Sequence, residues 1–393
     1  MECIAYCVLQ GNSKRGTITC GLCWPPSHSE CGQLNYPKVM HLIYSLGGGG
    51  AERQVSYLTS HMAASGWPVR LVYCRSGSNE ARINGVDPSV LHRLPSTSSY
   101  SFRNVLGAHR IVRQWKPDVI QTWLPMMDVV GGMLAKIHGV PHIVSERTEP
   151  GRFSRDTLRR RIGAQAAAVV CNSHGGCAYW SKHVDLNRLH LIRNGLPLEE
   201  IKHASLLDRQ SIGLSHDDEI ILFVGRLASP KNLQVMLAGV ERVLDQREQA
   251  VFVMLGDGPL RSEINAQVST SPHCDRIHVM GFCSNAWSWM REACAVVAVS
   301  HFEGDPNVAM EAAACGCPLV LSDIKAYRDV LGNGAAEFVD KDDPASICNG
   351  LFNVLSGGTV VKDCVDRARR VSAERSISAM VDAYMGIYRE VCG

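Results

Sequence analysis

Two glutamates eight residues apart carry the clearest chemical signal in this sequence. Residues 300–323 read SHFEGDPNVAMEAAACGCPLVLSD, with Glu303 just before an Asp-Pro-Asn helix start and Glu311 inside the helix that follows. On such a helix Glu311 lies about 6 Å along the axis from Asn307. A carboxylate in a helix of alanine, methionine and cysteine costs several kcal/mol to bury unless a partner such as a diol pairs with it.

The two carboxylates, with a helix N-terminus between them, suit a sugar nucleotide. Glu303 can accept hydroxyls of the transferred sugar, and Glu311 can accept the ribose hydroxyls. The backbone amides of Asn307 and Val308 point at the same space and favour phosphate. Asp305 would add a negative charge near that phosphate and so influence the choice of donor.

Two cations follow another apolar run. Arg226 and Lys231, in VGRLASPKN at residues 224–232, lie five residues apart in a loop that we predict at the end of a strand. A guanidinium fork and a point charge can both reach one diphosphate. A solvated surface pair is the alternative. The carboxyl end of a central strand, where ligands of such sheets bind, favours the phosphate role.

Glycines mark three further strand ends. In LGGGGAERQ, residues 46–54, Gly49 and Gly50 let the backbone approach an anion, although the pattern is neither GxGxxG nor a P-loop. Gly256 in LGDGPL, and Gly281 with Phe282 in HVMGF, would place backbone against a flat group such as a nucleobase. A plain turn is the alternative at each of these places.

Strand-like apolar runs alternate with amphipathic stretches from Lys38 onward, which predicts parallel sheets covered on both faces. The alternation pauses around LIRNGLPLEEI and a polar segment through Asp218, then restarts at EIILFVG. We therefore predict an α/β protein with two doubly wound domains, 38–205 and 206–375, and a cleft between them. We expect a final helix, in 376–393, to pack back on the first domain.

Residues 1–37 form an irregular extension without helical or strand period, and they hold five of the 16 cysteines. Cys20, Cys23 and Cys31 with His28 would make a small zinc clasp. A flexible extension, or sequence upstream of a start at Met40, explains the same residues. One CxxC pair alone is a weak metal signal.

Composition limits the partners and the compartment. The 393 residues are 46% hydrophobic and 20% charged with a formal net charge of +2, so no broad basic field favours a nucleic acid polymer. The sequence shows neither the pattern of a secretory signal nor an apolar run of about 18 residues. Because the remaining cysteines lie in apolar runs as free thiols, we expect a reducing cytoplasm, with peripheral contact at the inner face of the membrane left open.

From about Lys38 to the C-terminus the chain resembles the family 4 retaining glycosyltransferases, which have the GT-B fold of two facing Rossmann-like domains. The E-x7-E pattern in EGDPNVAME is the most specific element. It is preceded by GGGGAE, RNG, VGRLASPKN, LGDGP and HVMGF, in the order that this family shows. The resemblance implies transfer of a sugar from a nucleotide diphosphate donor, with UDP favoured, to a hydroxyl, with retained anomeric configuration.

The resemblance also assigns roles to residues. Glu303, Arg226 and Lys231 would be catalytic, because the two cations replace on the leaving group the metal ion of other transferases. No cofactor or metal is then obligatory, and the nucleotide sugar is the substrate. The residues expected at the donor are Gly49, Gly50, Gly256, Gly281, Phe282, Asn307, Val308 and Glu311.

The chain departs from the family at two places in the first domain. Many members have a His after the fourth strand and another after the following strand. Here QTWLPMM places Trp123 at the first position, and VSERTEP places Glu146 and Arg147 at the second. The family's histidine roles are therefore not carried over. Trp123, Glu146 and Arg147 are candidate acceptor contacts, with a core aromatic and solvated charge as the alternatives.

We predict a hexosyl- or N-acetylhexosaminyl-type transferase of surface polysaccharide or glycoconjugate biosynthesis, acting on a glycan, a lipid-linked saccharide or a small glycoside. A sugar-nucleotide epimerase of the same fold, which would need acid and base groups in the cleft, and transfer to a small natural product are the alternatives. For a lipid-linked acceptor, RDTLRRRIG at residues 155–163 is a candidate membrane contact. A solvated basic helix is the alternative there.

Overall fold

Strands that are apolar on both faces need a layer of helices on each side, and this chain builds two parallel sheets of that kind. The computed structural model describes residues 36–96, 101–147 and 156–393. The predicted zinc clasp of Cys20, Cys23, Cys31 and His28 lies outside the described residues.

The first sheet has seven strands: β1 (Val39–Ser45), β2 (Val69–Arg75), β3 (Leu91–Arg93), β4 (Val119–Trp123), β5 (His142–Glu146), β6 (Ala168–Cys171) and β7 (Leu189–Leu191). All pair in parallel, in the order β3-β2-β1-β4-β5-β6-β7. The strand order reverses at β1, so the carboxyl ends of β1 and β4 form the crevice where ligands of such sheets bind.

Helices cover both faces of this sheet. They are α1 (Gly50–Ala64), α2 (Phe102–Trp115), α3 (Pro125–His138), α4 (Asp156–Gly163) and α5 (His174–Trp180). The short α6 (Leu198–Lys202) instead packs with the core of the second sheet through Leu198. α1 contributes Val55, Leu58 and Met62 to the core on one face. α2 and α3 fill the core on the other face, for example with Val112 and Leu134.

The second sheet has six parallel strands. They are β8 (Glu219–Val224), β9 (Ala250–Leu255), β10 (Ile277–Gly281), β11 (Ala295–Ala298), β12 (Leu319–Ser322) and β13 (Glu337–Val339). Their order is β10-β9-β8-β11-β12-β13. The helices are α7 (Leu233–Leu244), α8 (Arg261–Thr270), α9 (Ala286–Glu292), α10 (Asn307–Cys315), α11 (Lys325–Leu331), α12 (Pro344–Leu355) and α13 (Thr359–Ala373).

The last helix, α14 (Ile377–Cys392), has its apolar side in the core of the first sheet, where Met380 and Tyr384 pack with Val55 of α1. Ser376 caps its start by accepting the amide of Ala379 at 3.1 Å. The chain crosses from the second lobe to the first just before this helix. At the crossing, the amide of Leu196 donates to the carbonyl of Arg375 at 2.6 Å.

The predicted α/β class with two doubly wound sheets is confirmed. Three strands had no signal in the sequence: β3, β7 and β13. Each has three residues, which is too short for an apolar run to stand out.

We propose that the boundary between the two domains lies in the segment 203–217, which includes the predicted limit at residue 205. Most side chains of this segment are exposed, and its main anchor is Arg209, whose guanidinium donates to the carbonyls of His216 and Asp218. Limited digestion with a broad-specificity protease should therefore cut here, or in the first 37 residues, before it cuts inside any described strand or helix. An early cut inside β1, β8 or α14, mapped by mass spectrometry, would contradict the proposed limit.

Candidate functional site

Loops at the carboxyl ends of the strands of the two sheets meet between the lobes. Asn307, the first residue of α10 in the second lobe, accepts a hydrogen bond from Asn194 Nδ2 of the first lobe at 2.8 Å. Gly50 of the first lobe lies so close that a Cβ there would be 2.9 Å from Nδ2 of Asn307. The predicted glycine loop and the predicted helix start therefore face each other across the cleft.

Glu303 is held by three donors, all on one oxygen. Its Oε1 accepts from Lys231 Nζ at 2.6 Å, Ser300 Oγ at 2.8 Å and Tyr327 OH at 3.4 Å. Burial, with the charge of Glu303 beside it, raises the pKa of Tyr327 well above its usual value, so this hydroxyl stays a donor. Among the described residues Oε2 has no hydrogen-bond partner. Glu303 is thus fixed in orientation and presents one oxygen to the cleft.

The two predicted phosphate-binding cations differ in their surroundings. Lys231 ends a short 3-10 turn, Ser229–Lys231, and Asn232 after it has left-handed backbone with φ 49°. The side chain of Asn232 donates to the carbonyl of Lys341 at 2.7 Å, which fixes this turn. Arg226, at the end of β8, is exposed, and its guanidinium makes no hydrogen bond within the described part of the chain. A cation held by its turn and one exposed to solvent thus lie at the same strand end.

Glu311 is nearly buried, with 5% of its surface exposed, and both of its oxygens are occupied. Oε1 pairs with Arg53 of α1, and Oε2 accepts from Trp287 Nε1 at 2.8 Å. Burial alone would lower the pKa of Arg53, but the carboxylate of Glu311 raises the pKa above its ordinary value. The carboxylate of Glu311, which the sequence predicts to hold the ribose, is therefore paired with a cation from the opposite lobe.

Asp305 has a structural position that the sequence did not indicate. It is buried, Oδ1 accepts from Arg375 Nη1 at 2.8 Å, and Oδ2 accepts the amide of Asn194 at 2.7 Å. Gln54 holds the next residue, accepting the amide of Gly195 at 2.9 Å and donating to its carbonyl at 3.1 Å. The prediction that Asp305 presents a charge to phosphate is wrong, because Arg375 neutralises it inside the junction of the lobes.

Backbone packing alone explains two of the predicted donor glycines. Gly256 has φ +148°, and a Cβ there would lie 1.8 Å from the carbonyl oxygen of Gly225 on the neighbouring strand end. Gly281 is buried with φ +79° and accepts the amide of Gly256 at 2.7 Å. Beside them Phe282 is 73% exposed. The turn interpretation thus accounts for the glycines, and the predicted donor contacts of Gly256, Gly281 and Phe282 stay predictions.

Two of the predicted acceptor contacts are wrong, because Trp123 and Glu146 have no exposed surface. The indole of Trp123 donates to His41 Nδ1 at 3.4 Å inside the core of the first lobe. Glu146 accepts from Arg159 Nη1 at 2.8 Å and from Trp180 Nε1 at 2.9 Å. The core interpretation of Trp123 is the right one, and Glu146 neutralises a buried arginine.

Arg147 connects this core to the cleft. Its guanidinium lies 4.9 Å from the centre of the Trp123 ring and donates to Tyr384 of α14 and, at 2.7 Å, to Asn194 Oδ1. Burial lowers its pKa to about 10, which leaves it charged near neutral pH. Asn194 in turn donates to Asn307, so Arg147 supports the start of α10 through Asn194. This buried structural role replaces the predicted contact of Arg147 with an acceptor.

Several residues of this site were not predicted. They are Arg53, Gln54, Asn194, Trp287, Ser300, Tyr327 and Arg375. Arg53 and Asn194 lie in GGGGAERQ and RNG, stretches that the sequence does single out. Gln54 and Ser300 also lie in such stretches, GGGGAERQ and SHFEGDPN. Only Trp287, Tyr327 and Arg375 lie in segments without a recognisable pattern, and their partners are distant in the chain.

Comparison with known proteins decides the family. Residues 48–200 match the model of Glycosyltransferase Family 4, and residues 218–356 match that of Glycosyl transferases group 1. The chain belongs to the family 4 glycosyltransferases. The two matches correspond to the two lobes and together span most of the described chain.

Two bacterial enzymes illustrate the relatives of this glycosyltransferase. The Escherichia coli UDP-Gal:alpha-D-GlcNAc-diphosphoundecaprenol alpha-1,3-galactosyltransferase is 22% identical over 272 residues, which are 64% of this chain and 70% of the relative. The Campylobacter jejuni N-acetylgalactosamine-N,N'-diacetylbacillosaminyl-diphospho-undecaprenol 4-alpha-N-acetylgalactosaminyltransferase is 24% identical over 349 residues, 83% of this chain and 92% of the relative. Both transfer a sugar to a lipid-linked saccharide by name, and they support the predicted hexosyl-type transferase over an epimerase.

The solved structures confirm the GT-B fold of this glycosyltransferase. The structure of the Anabaena protein HepE in complex with UDP-glucose superposes with a TM-score of 0.77 at 14% identity, over 90% of this chain and all of that chain. In the part of the chain that the structure describes, no helix is both long and apolar enough to span a bilayer. Nor do those residues contain a group of three or more His, Cys, Asp or Glu side chains placed to hold a metal ion.

The buried pair of Asp305 and Arg375 should be the ionic contact on which the lobe junction depends most. Replacing Asp305 by Ala leaves Arg375 buried without its carboxylate and the amide of Asn194 without its acceptor. We expect Asp305→Ala to lower the free energy of unfolding by about 3 kcal/mol or more. Urea denaturation followed by fluorescence measures this loss.

Asp323→Ala is the matched control, because Asp323 pairs with Arg328 in an exposed ion pair on the second lobe. An exposed pair contributes at most about 1 kcal/mol. Equal shifts in the two variants would contradict the structural importance of the Asp305 pair.

Proposed function

We propose that this glycosyltransferase transfers a hexose or N-acetylhexosamine from a UDP-sugar to a hydroxyl of a lipid-linked saccharide, with retention of the anomeric configuration. The observation that carries the proposal is the convergence of Glu303, Lys231 and Glu311 around the start of α10, facing Gly50 of the opposite lobe. Acidic groups for two sugar rings thus flank a region suited to a diphosphate. The names of the relatives above support the sugar class and the lipid-linked acceptor.

The donor would enter this site by exchanging ion pairs. Lys231 now pairs with Glu303, and a diphosphate would offer it more negative charge than one carboxylate does. Arg226, exposed at the same strand end, can turn toward the same phosphates. With Lys231 drawn to phosphate, Glu303 keeps Ser300 and Tyr327 as donors and accepts hydroxyls of the sugar.

Charge on the leaving nucleotide develops as the sugar bond breaks, and stabilising that charge is the main work of the site. The two cations and the N-terminus of α10 carry positive potential toward it. Lys231 and α10 are fixed before the reaction, Lys231 by its turn and α10 by the contact between Asn194 and Asn307. No step in this scheme requires a metal ion or a cofactor.

Glu311 would hold the ribose of the nucleotide. A diol can donate to one oxygen of a carboxylate that already accepts from the indole of Trp287 at 2.8 Å. Arg53 then either shares the second oxygen or moves to a phosphate. Either way, donor binding connects both lobes through α10, because Arg53 belongs to the first lobe and Glu311 to the second.

A panel of nucleotide sugars tests the donor and the reaction. We expect slow hydrolysis of a UDP-hexose or UDP-N-acetylhexosamine by the purified protein and not of the GDP- or ADP-linked sugars. With a lipid-linked saccharide as acceptor, proton NMR of the product should show the same anomeric configuration as the donor. Hydrolysis of only a GDP- or ADP-sugar would contradict the base, and an inverted product would contradict retention.

Replacing Glu303 by Gln tests its catalytic role. The amide keeps the shape and can accept from Ser300, but it lacks the negative charge on which sugar hydroxyls and Lys231 depend. We expect kcat to fall roughly 100- to 1,000-fold, as when one preorganised polar group is lost. UDP affinity, measured by calorimetry, should stay nearly unchanged, whereas Arg226→Gln should weaken UDP binding about tenfold or more.

Glu248→Gln is the matched control. This substitution removes the same negative charge from an exposed glutamate just before β9, at the amino ends of the strands, which is the end of the sheet away from the cleft. Near-normal turnover in Glu303→Gln, or an equal loss in Glu248→Gln, would show that the role given to Glu303 is wrong.

A further inference from the structure

Exposed apolar side chains are concentrated on one flank of the first lobe. Of the eleven large hydrophobic residues that are exposed in the described part of the chain, five lie on α2, α3 and α4. They are Phe102 (72% exposed), Leu106 (38%), Met133 (54%), Ile137 (65%) and Leu158 (46%). The other six are spread over both lobes. A group of exposed apolar side chains of this kind marks an interaction surface.

The three helices lie side by side on one face of the first sheet. α2 and α3 fill the same core, and a Cβ at Gly132 of α3 would lie 2.2 Å from Ile162 of α4. On α2 the residues at 102, 106, 110 and 113 follow helical spacing and share the side opposite buried Ala108 and Val112. The exposed apolar residues of the three helices therefore lie on the same outward flank of the first lobe.

The same flank is positively charged. Its exposed cations are Arg103, Arg110, Arg113, Lys136 and Arg161. Asp128 is the only acidic side chain that the structure describes on these helices, and Arg159 pairs with it at 2.7 Å in the interior. The side chains described on these helices thus combine exposed apolar and cationic groups, and this combination binds the surface of an anionic membrane.

We propose that this flank binds an anionic lipid bilayer. The docking face consists of Phe102, Arg103, Leu106, Arg110, Arg113, Met133, Lys136, Ile137, Leu158 and Arg161. Its apolar side chains would enter the boundary between headgroups and acyl chains while its cations contact the headgroups. The proposal rests on the proposed function, because an acceptor carried on a lipid brings the enzyme to a bilayer.

The docking face reaches the mouth of the cleft. Helices of parallel sheets begin at the carboxyl ends of the strands, which is the side of the cleft. Phe102 is the first residue of α2, and Leu158 lies in the first turn of α4. Met133 and Ile137 lie in the second half of α3, farther from the cleft. A bilayer in contact with this flank therefore approaches the opening through which an acceptor would enter.

Charge favours a bilayer over a second copy of the chain at this face. Two copies meeting through it would bring together two sets of five cations, and like charges across an interface oppose association. An anionic bilayer instead complements every one of them. It also accepts apolar side chains at any spacing, so no shaped pocket is needed.

Flotation with vesicles tests the docking face on the full-length protein. We expect it to float with vesicles of equimolar phosphatidylcholine and phosphatidylglycerol, much less with phosphatidylcholine alone, and less as salt is raised. The variant Arg110→Gln/Arg113→Gln should bind about 30-fold more weakly. The variant Met133→Gln/Ile137→Gln should bind about tenfold more weakly or worse.

Matched controls remove the same kinds of side chain, two cations or two apolar groups, away from the docking face. Lys362→Gln/Arg370→Gln removes two exposed cations from α13 of the second lobe. Leu186→Gln/Val360→Gln removes two exposed apolar side chains outside the docking face. Both controls should float like the unmodified protein. The proposal is overturned if the unmodified protein does not float, or if the controls lose as much binding as the docking-face variants.

Two further measurements distinguish this proposal from the proposed function and from dimerisation through the same face. Hydrolysis of a UDP-sugar without vesicles should stay within about twofold in the docking-face variants, because these residues are remote from the donor site. If the unmodified protein floats but hydrolyses no nucleotide sugar, the proposed function fails while the docking face stands. Sedimentation velocity showing a dimer that the Met133→Gln/Ile137→Gln variant dissociates, with vesicle binding unchanged, would assign the face to a second copy and overturn the proposal.

Discussion

Three carboxylates lie within nine residues at the start of one helix, and the cost of burying charge requires a cation for each. The pairs are Glu303 with Lys231, Asp305 with Arg375 and Glu311 with Arg53. The three cations come from different parts of the chain: the second lobe itself, the crossing before α14, and the first lobe. Satisfying the charge around α10 therefore also determines how the two lobes face each other, and Asn194 and Gln54 complete the junction with backbone contacts.

The three pairs differ in how easily a ligand can exchange them. Asp305 has no exposed side-chain surface and its arginine has 9%, so no ligand can replace that partner without opening the junction. Lys231 and Glu303 keep 23% and 15% of their side chains exposed, and Arg53 keeps 18%. In the proposed complex the outer two pairs therefore exchange partners with phosphate and hydroxyl groups, while the middle pair holds the lobes. This difference in burial separates the structural Asp305 from Glu303, whereas Glu311, itself only 6% exposed, is accessible mainly through its more exposed arginine.

The sequence predicted the local parts of this arrangement and missed the distant ones. The two sheets, the start of α10 and the cation loop of Lys231 could be predicted because apolar period, Asp-Pro-Asn and strand-end position are local signals. The contact of Arg53 with Glu311 joins residues 258 apart, which no local pattern reports. Trp123 and Glu146 were assigned to the acceptor because they occupy functional positions of the family, and only packing shows that both are buried. Likewise, the structural roles of Asp305 and Gly256 depend on contacts with the backbone of other strands and loops, which the sequence does not show.

The basic helix α4 shows that neighbouring arginines in a sequence can point in different directions and so have different roles. Arg159 turns inward, where Asp128 and Glu146 neutralise it and the ring of Trp180 lies 5.3 Å away. Arg161, two residues on, points to solvent beside the apolar flank of α3. One arginine therefore anchors the helix in the first lobe while another contributes to a surface charge. Glu146, the inward partner of Arg159, directly precedes Arg147, which donates to Asn194 at 2.7 Å. Two adjacent residues at the end of β5 thus link α4 to the start of α10.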